Sequence, residues 1–382
     1  MDDLTNLVKS EALRLGFQAV GITGISSLQA RSPELGRWLS SGFAGPLKYM
    51  HAFFERQHDF LTHLPNFKSI VVLAVSYNSE KPLSSSTSFM SGVGLIARYA
   101  HGREYHRAIK KRLRQFIRSI QASVKEPFQS AWSIDTAPVQ ERVLAEMAGV
   151  GFFGKNTCLI MPRGGSFFFL AALLTTLKLT PDEPVQWDCG SCSLCLDACP
   201  THALVRPYEL DANRCISSLT IEMRGPIDSE LRSQVRNWIF GCDICQEVCP
   251  YNRKSITAHW SEFSPKVGAG SQLSIAEVLQ IRTEEMFQRK FRGTPLMRAK
   301  RDGLLRNAAV AAGNLGDPQL VQSLSKALLE DSSPIIRQHA AWALGKIFGR
   351  QATESLSKAL LEEKVPSVTD EIRLALNQYQ SL

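Results

Sequence analysis

Seven of the nine cysteines stand in two short runs, and their spacing constrains this chain more than any other feature. The first run is Cys189-x2-Cys192-x2-Cys195-x3-Cys199-Pro200 and the second is Cys242-x2-Cys245-x3-Cys249-Pro250, with Cys215 between them. Under reducing conditions a dense cysteine set signals a metal site rather than a disulfide framework. Zinc also takes Cys-x2-Cys pairs, tetrahedrally. Four cysteines in one tight x2, x2, x3 run fit a cuboidal iron–sulfur cluster better than paired zinc sites. The Cys-Pro end of each run points the same way.

The first run matches the bacterial two-cluster ferredoxin pattern, in which the fourth cysteine serves the other cluster. Two [4Fe–4S] clusters are expected. Cys189, Cys192, Cys195 and Cys249 would hold one, and Cys199, Cys215, Cys242 and Cys245 the other. The second motif has been opened, because 26 residues separate Cys215 from Cys242. Cys158, the ninth, reads as a small buried side chain and not a ligand. A ferredoxin-like domain over 181–255 needs little apolar core, since ligand bonds replace part of it. A bare electron carrier would need neither the long segment before these cysteines nor the one after. The clusters are therefore expected to feed a second redox centre in the first domain.

That first domain, 1–180, reads as α/β. Leu4–Leu15 has helical period, and Phe17–Ile22 is a short buried strand. Ser69–Val75 is a stronger strand, apolar after its first residue and rich in β-branched side chains. A basic helix runs from Tyr105 to Ser123, and Trp132–Asp135 reads as a strand ending on an acid. The period of Gly165–Thr176 does not separate strand from helix. Beyond 270 the chain repeats itself: Leu324–Glu330 recurs as Leu356–Glu362 and Asn307–Gly313 aligns with His339–Gly345, both at an offset of 32, with a weaker copy near Glu371. Helical pairs at this period form a HEAT-like array, here over 270–382.

No apolar stretch approaches the roughly 18 residues that span a bilayer, and the acidic, amphipathic start lacks a signal peptide's features. A cytoplasmic protein is expected. No coiled coil is evident, so a monomer is expected. The formal charge is +8, which favours an anionic partner. Residues 281–310 hold eight cations (Arg282, Arg289, Lys290, Arg292, Arg298, Lys300, Arg301 and Arg306) against three acids. That run is the first candidate for an RNA backbone surface. The helix bearing Arg107 to Arg118 is the second, and Tyr251–Lys254 could sit near an anticodon. The Arg224-Gly225-Pro226 loop could border a substrate entrance.

Further segments carry a resemblance. Arg98-Tyr-Ala-His-Gly102 with Tyr105-His106, Ile134-Asp-Thr-Ala-Pro-Val-Gln-Glu-Arg142 and Gly149-Val-Gly-Phe-Phe-Gly-Lys-Asn156 join both cysteine runs, Cys215-Ile-Ser-Ser-Leu-Thr-Ile-Glu222 and Gly225-Pro226. Together they closely resemble the epoxyqueuosine reductases, cobalamin-dependent enzymes of the last step of queuosine synthesis in tRNA. The likeness runs through nearly the whole chain. It implies an N-terminal cobalamin domain, a two-cluster ferredoxin domain and C-terminal helical repeats. It also implies reduction of the epoxide at the wobble base of tRNAs with G-U-N anticodons (Tyr, His, Asn, Asp). A tRNA anticodon stem-loop would be the substrate, with electrons from an unidentified low-potential donor.

Removing an epoxide oxygen takes two electrons and protonation of a poor leaving group, so a positioned acid lowers the barrier. The resemblance makes Asp135 that proton donor. On residues alone a helix cap is as reasonable, with Pro138 and Glu141 following. Arg98, Asp135, Gly154, Lys155, Asn156 and Ser217 are the expected cobalamin contacts; as alternatives, Arg98 is a surface charge and Ser217 caps a turn. The Asp-x-His-x-x-Gly motif of histidine-ligated cobalamin is absent. His58, His63 and His106 are thus expected to be ordinary side chains, and cobalt without a protein axial ligand fits the family. Two other classes remain: reduction of a small molecule, as in reductive dehalogenation, and a plain electron-transfer protein.

Overall fold

The computed structural model describes residues 2–62, 66–79 and 91–380. His63 lies outside them, and the side chain of His58 is likewise not described. The chain forms two compact units, each assembled from separate segments. The first comprises Met1–Lys81, Arg103–Ala212 and Ile244–Val267; the second comprises Pro82–Gly102, Asn213–Asp243 and Gly268–Leu382.

The first unit is built on a four-stranded sheet in the order Ala19–Gly24, Ser69–Ser76, Phe168–Thr175, Ser130–Ser133. Every neighbouring pair is antiparallel. Ser69–Ser76 is buried at every position, which explains its unbroken apolar run: both faces of the sheet are covered. One face carries Ile70, Val72, Ala74, Ala172 and Leu174, packed with Leu144 and Ala145 of the helix Glu141–Met147. Val71 and Leu173 lie with Val8 of the helix Asp2–Arg14 and with Phe116, Ile117 and Ile120 of the helix Tyr105–Ser123. The ambiguous segment Gly165–Thr176 is thus a central strand, its apolar residues divided between two covered faces.

The basic helix forms over the span expected, Tyr105–Ser123. Its buried stripe is Ala108, Ile109, Leu113, Phe116, Ile117 and Ile120, and Arg107, Lys110, Lys111, Arg114 and Arg118 are exposed. Arg112 is held, paired with Glu262 at 2.7 Å and 4.5 Å from the Trp260 ring centroid.

In the second unit the helices Lys300–Leu315, Pro334–Ile347 and Pro366–Gln380 pack in sequence, and Val321–Glu330 packs on Arg350–Glu362. The repeated glycine explains the spacing. A Cβ on Gly313 would lie 2.6 Å from the Trp342 ring, and one on Gly345 would lie 2.8 Å from Ala375 Cβ. Equivalent positions in successive copies therefore need the smallest residue for close helix approach. The repeats seat the segment inserted between the cysteine runs. Asn307 donates to the carbonyls of Thr220 and Ile239 at 2.7 and 2.9 Å. Arg306 donates to Leu219, Met223 and Gly225 at 2.6, 2.9 and 2.6 Å. His339, which aligns with Asn307, accepts from Ile227 N–H at 3.1 Å, and burial pushes its imidazole down to about 3.

The basic run of 281–310 is therefore only partly a surface. Arg301 and Arg306 are buried, the former paired with Asp302 and Asp331. Arg282 pairs with Glu330, Lys290 with Glu277 and Arg298 with Glu222. Arg289, Arg292 and Lys300 are exposed. Composition counts charges, whereas burial decides which of them face solvent. Likewise the Arg224 loop is pinned, Arg224 donating to the Ile221 and Arg298 carbonyls at 2.9 Å each.

Asp331 is fully buried beneath Arg301, so Arg301→Met would leave an uncompensated carboxylate. A loss of about 3–5 kcal/mol is expected in urea unfolding followed by helical circular dichroism. Arg292→Met, at an exposed cation of the same run, should stay within about 0.5 kcal/mol.

Candidate active site and cluster site

Asp135 does not lie in the strand the sequence predicted to contain it. The strand closes at Ser133, and Asp135 follows in a turn at φ +57°, a left-handed conformation that L residues seldom adopt. A half-buried carboxyl group holds the turn. Glu141 Oε1 accepts the Asp135 N–H at 2.9 Å and also the Ser133 hydroxyl. Burial, then the Asp135 charge, raises Glu141 to about 7, against the lowering effect of the Ser133 hydroxyl bond. Asp135 itself caps no helix, since the helix Glu141–Met147 begins after Gln140 with no side-chain cap bond.

The exposed Asp135 carboxylate accepts the Tyr105 hydroxyl at 2.9 Å. Tyr105 is held flat on Phe169, with centroids 4.3 Å apart and planes within 10°. Tyr77 and Phe263 extend that aromatic wall, 4.6 and 5.1 Å from Phe169. His106 stacks on Tyr105, and its Nδ1 meets Glu104 at 2.6 Å. Burial opposes the imidazolium here, but Glu104 and Asp135 together raise its pKa. The sheet thus presents an acid, a phenol and an imidazole together at one aromatic surface. Sequence reading found Asp135 but missed Tyr105 and Glu141 as its partners. Both lay within quoted motifs, but only their distances give them roles.

Gly154, Lys155 and Asn156 form the turn of a hairpin between Phe152–Phe153 and Leu159–Ile160. A Cβ on Gly154 would lie 2.5 Å from Ile160 Cδ1 and 2.8 Å from Asn156 Oδ1, so a larger residue would have to displace both side chain ends. It abuts the cysteine loops. Lys155 and Asn156 line one cavity with Cys189, Cys192, Cys195, Cys249, Ile160, Leu194 and Tyr251. Burial, then the charges of Cys189 and Cys249, pushes the Cys195 thiol up to about 11. Cys249 is raised chiefly by burial, and Cys189, Cys158 and Cys192 add to it. Cys158 is half-buried rather than buried. Burial opposes ionisation of Cys195 and Cys249, and the positive charge of an iron–sulfur core would offset that opposition. These residues fit the group.

Cys199 and Cys245 belong to the first unit, Cys215 and Cys242 to the second. Cys199 Sγ accepts the Ala203 N–H at 3.3 Å. Arg98 is buried in the second unit, its backbone N–H on Asp243 at 2.7 Å, so it is not a solvated surface charge. Ser217 is half-buried inside the helix Ile216–Ile221, which starts after Cys215, so it caps nothing. Of the residues after the last cysteine, Arg253 and Lys254 are exposed. Asn252 is buried and bound to Ser166 and Gln246, while Tyr251 donates to the Asp188 carbonyl at 2.9 Å. Among the described residues no helix is long and apolar enough to cross a membrane.

A redox protein with a cysteine-ligated domain is the class that this fold and these sites define. Family models for a 4Fe-4S double cluster binding domain, an epoxyqueuosine reductase domain and HEAT repeats match residues 188–252, 58–136 and 295–377. The chain is 39% identical over 339 residues to the epoxyqueuosine reductase of Pseudomonas aeruginosa, covering 88% of this chain and 92% of that one. Identity to the Escherichia coli enzyme is 38% over 323 residues, covering 82% of each. A crystal structure of an epoxyqueuosine reductase with an epoxyqueuosine-modified tRNA-Tyr stem loop superposes with a TM-score of 0.87 at 31% identity, over 99% of both chains. The Streptococcus thermophilus enzyme gives 0.83 at 27%, over 98% of this chain and 99% of that one. The chain belongs to the epoxyqueuosine reductase family. It contains a 4Fe-4S binding domain, an N-terminal α/β domain and a C-terminal HEAT-like region.

Glu141 makes the site's stability depend on pH. Its folded value of about 7 stands above the ordinary carboxyl value of 4.5. Burying the neutral acid therefore contributes in full below pH 4.5, and that contribution is lost as pH rises to 7. Glu141→Gln cannot ionise. Wild-type stability relative to this variant should fall across that window by at most about 1.4 kcal/mol per pH unit, read from paired urea unfolding curves.

Proposed function

We infer that this chain reduces the epoxide of epoxyqueuosine at the tRNA wobble position to the alkene of queuosine, with G-U-N anticodons as the substrate set. The observation that carries this is the end-to-end match, over 99% of both chains, to a relative crystallised with its modified tRNA stem loop. Overall, epoxide, two electrons and two protons give alkene and water. A low-potential one-electron donor is required.

The proposed cofactors are cobalamin and two [4Fe–4S] clusters. When bound, cobalamin would provide low-valent cobalt for reduction of the epoxide carbon–oxygen bond, and the clusters would provide single electrons to reload it. Cys189, Cys192, Cys195 and Cys249 would hold one cluster, supported by their shared cavity. Cys199, Cys215, Cys242 and Cys245 would hold the other, on ferredoxin spacing alone. Cobalamin in the 1–180 domain is supported by the family, and the half-buried Tyr105, backed by the buried Phe169, stands beside the exposed Asp135 where a ligand could reach it. Arg98, Ser217 and the Gly154–Asn156 turn remain proposed contacts.

Asp135 is the proposed proton donor. It is exposed to a ligand, yet Glu141 fixes its backbone and Tyr105 orients its carboxyl. A protonated Asp135 would deliver its proton to the departing oxygen, and Tyr105 and His106 stand beside it to restore that proton. The wobble base would have to turn out of the anticodon stack to reach an acid so placed. Arg289, Arg292 and Lys300, with the exposed face of Tyr105–Ser123, are the proposed RNA-facing cations.

The chain assembled anaerobically, with cobalamin and a strong one-electron reductant, should convert epoxyqueuosine-tRNA to queuosine-tRNA in nucleoside mass spectrometry. No conversion with both clusters and corrinoid bound would overturn the assignment. Asp135→Asn should retain corrinoid and lower turnover by about 10²–10⁴-fold. Undiminished turnover in that variant would remove the proton-donor role.

A further inference from the structure

The hairpin turn that precedes Cys158 grips the cysteine loops through four hydrogen bonds. The Lys155 ammonium donates to the Gly190 carbonyl at 2.6 Å and to the Cys192 carbonyl at 2.9 Å. The Lys155 backbone N–H points at Cys189 Sγ, 3.5 Å away. Asn156 Nδ2 donates to the Cys245 carbonyl at 3.2 Å. Lys155 and Asn156 also line the cavity of the four thiols. Both ammonium partners are neutral carbonyls, so they orient the charge without cancelling it. The side chain is half-buried, which weakens screening by salt.

We propose that Lys155 is a positioning residue that sets the reduction potential of the cluster held by Cys189, Cys192, Cys195 and Cys249. The proposal rests on that cluster assignment. Reduction adds one electron to a cluster already carrying four thiolates. A cation fixed against the loop between two of those ligands stabilises the reduced form more than the oxidised one. Hydrogen bonds to ligand sulfur and local charge are the levers by which proteins tune such clusters. Lys155 applies both: its backbone reaches the sulfur and its side chain supplies the charge. Only the second is removed by substitution, so the two are separable.

The test uses the full chain with its clusters assembled anaerobically, in wild-type, Lys155→Met, Lys155→Arg and Cys249→Ser forms. Iron is counted first, and each protein is then titrated with europium(II) while the reduced clusters are followed by electron paramagnetic resonance. Lys155→Met is expected to keep full iron. One of its two signals should show a tenfold lower reduced-to-oxidised ratio at fixed poise, a shift of about 59 mV to the negative. The other signal should stay in place, and Lys155→Arg should return the first to its wild-type position. An unshifted signal in Lys155→Met, or an equal shift in Lys155→Arg, overturns the proposal. Loss of the cluster in Lys155→Met would make the residue a structural clasp only and overturns it too. Cys249→Ser should lack the signal that moves. Persistence of that signal would instead refute the ligand assignment on which the proposal rests.

Discussion

The gathering of four cysteine sulfurs into one partly desolvated cavity is the constraint on which the cysteine loops of the first unit depend. Cys189, Cys192, Cys195 and Cys249 come from two distant runs, yet they face one cavity. Burial and neighbouring sulfurs both oppose ionisation there, most clearly at Cys195. A metal cluster bound there would offset that opposition. The loops bearing these cysteines have little apolar core of their own. Their placement depends instead on bonds from the α/β part, through Lys155 and Asn156, and on the Tyr251 contact with Asp188 between the two cysteine segments.

The acid site shows a different use of burial. Asp135 occupies a left-handed conformation that costs about 1–3 kcal/mol for a residue of its type. Glu141 offsets this by accepting its N–H. A half-buried carboxyl thus fixes one that is exposed. The short bond from Tyr105 then aims the exposed carboxyl across an aromatic wall built on the central strand Phe168–Thr175.

The second unit applies the same economy to cations. Arg301 and Arg306 belong to the most basic stretch of the chain, yet both are interior. Arg306 and Asn307 satisfy backbone carbonyls of the segment inserted between Cys215 and Cys242. The insertion that opened the ferredoxin motif is thereby the seat on which the helical repeats rest. Its carbonyls would otherwise be buried without donors.

Local pattern by itself determined much here. Cysteine spacing specified the metal-binding domain, because ligand geometry is written in short intervals. The repeat of 32 residues specified the helical array, because each copy must present the same small and large residues to the next. The basic helix was legible to the residue, since amphipathic period needs no distant partner. Three things waited for the tertiary structure. The strand at Phe168–Thr175 is covered on two faces, so it has no period to read. Which arginines of 281–310 face water depended on acids and carbonyls far along the chain. The setting of Asp135, between Glu141 below and Tyr105 above, depended on a turn that places them within hydrogen-bonding distance. Contacts between distant residues carry no local signature, and the roles of side chains at these sites are defined by such contacts.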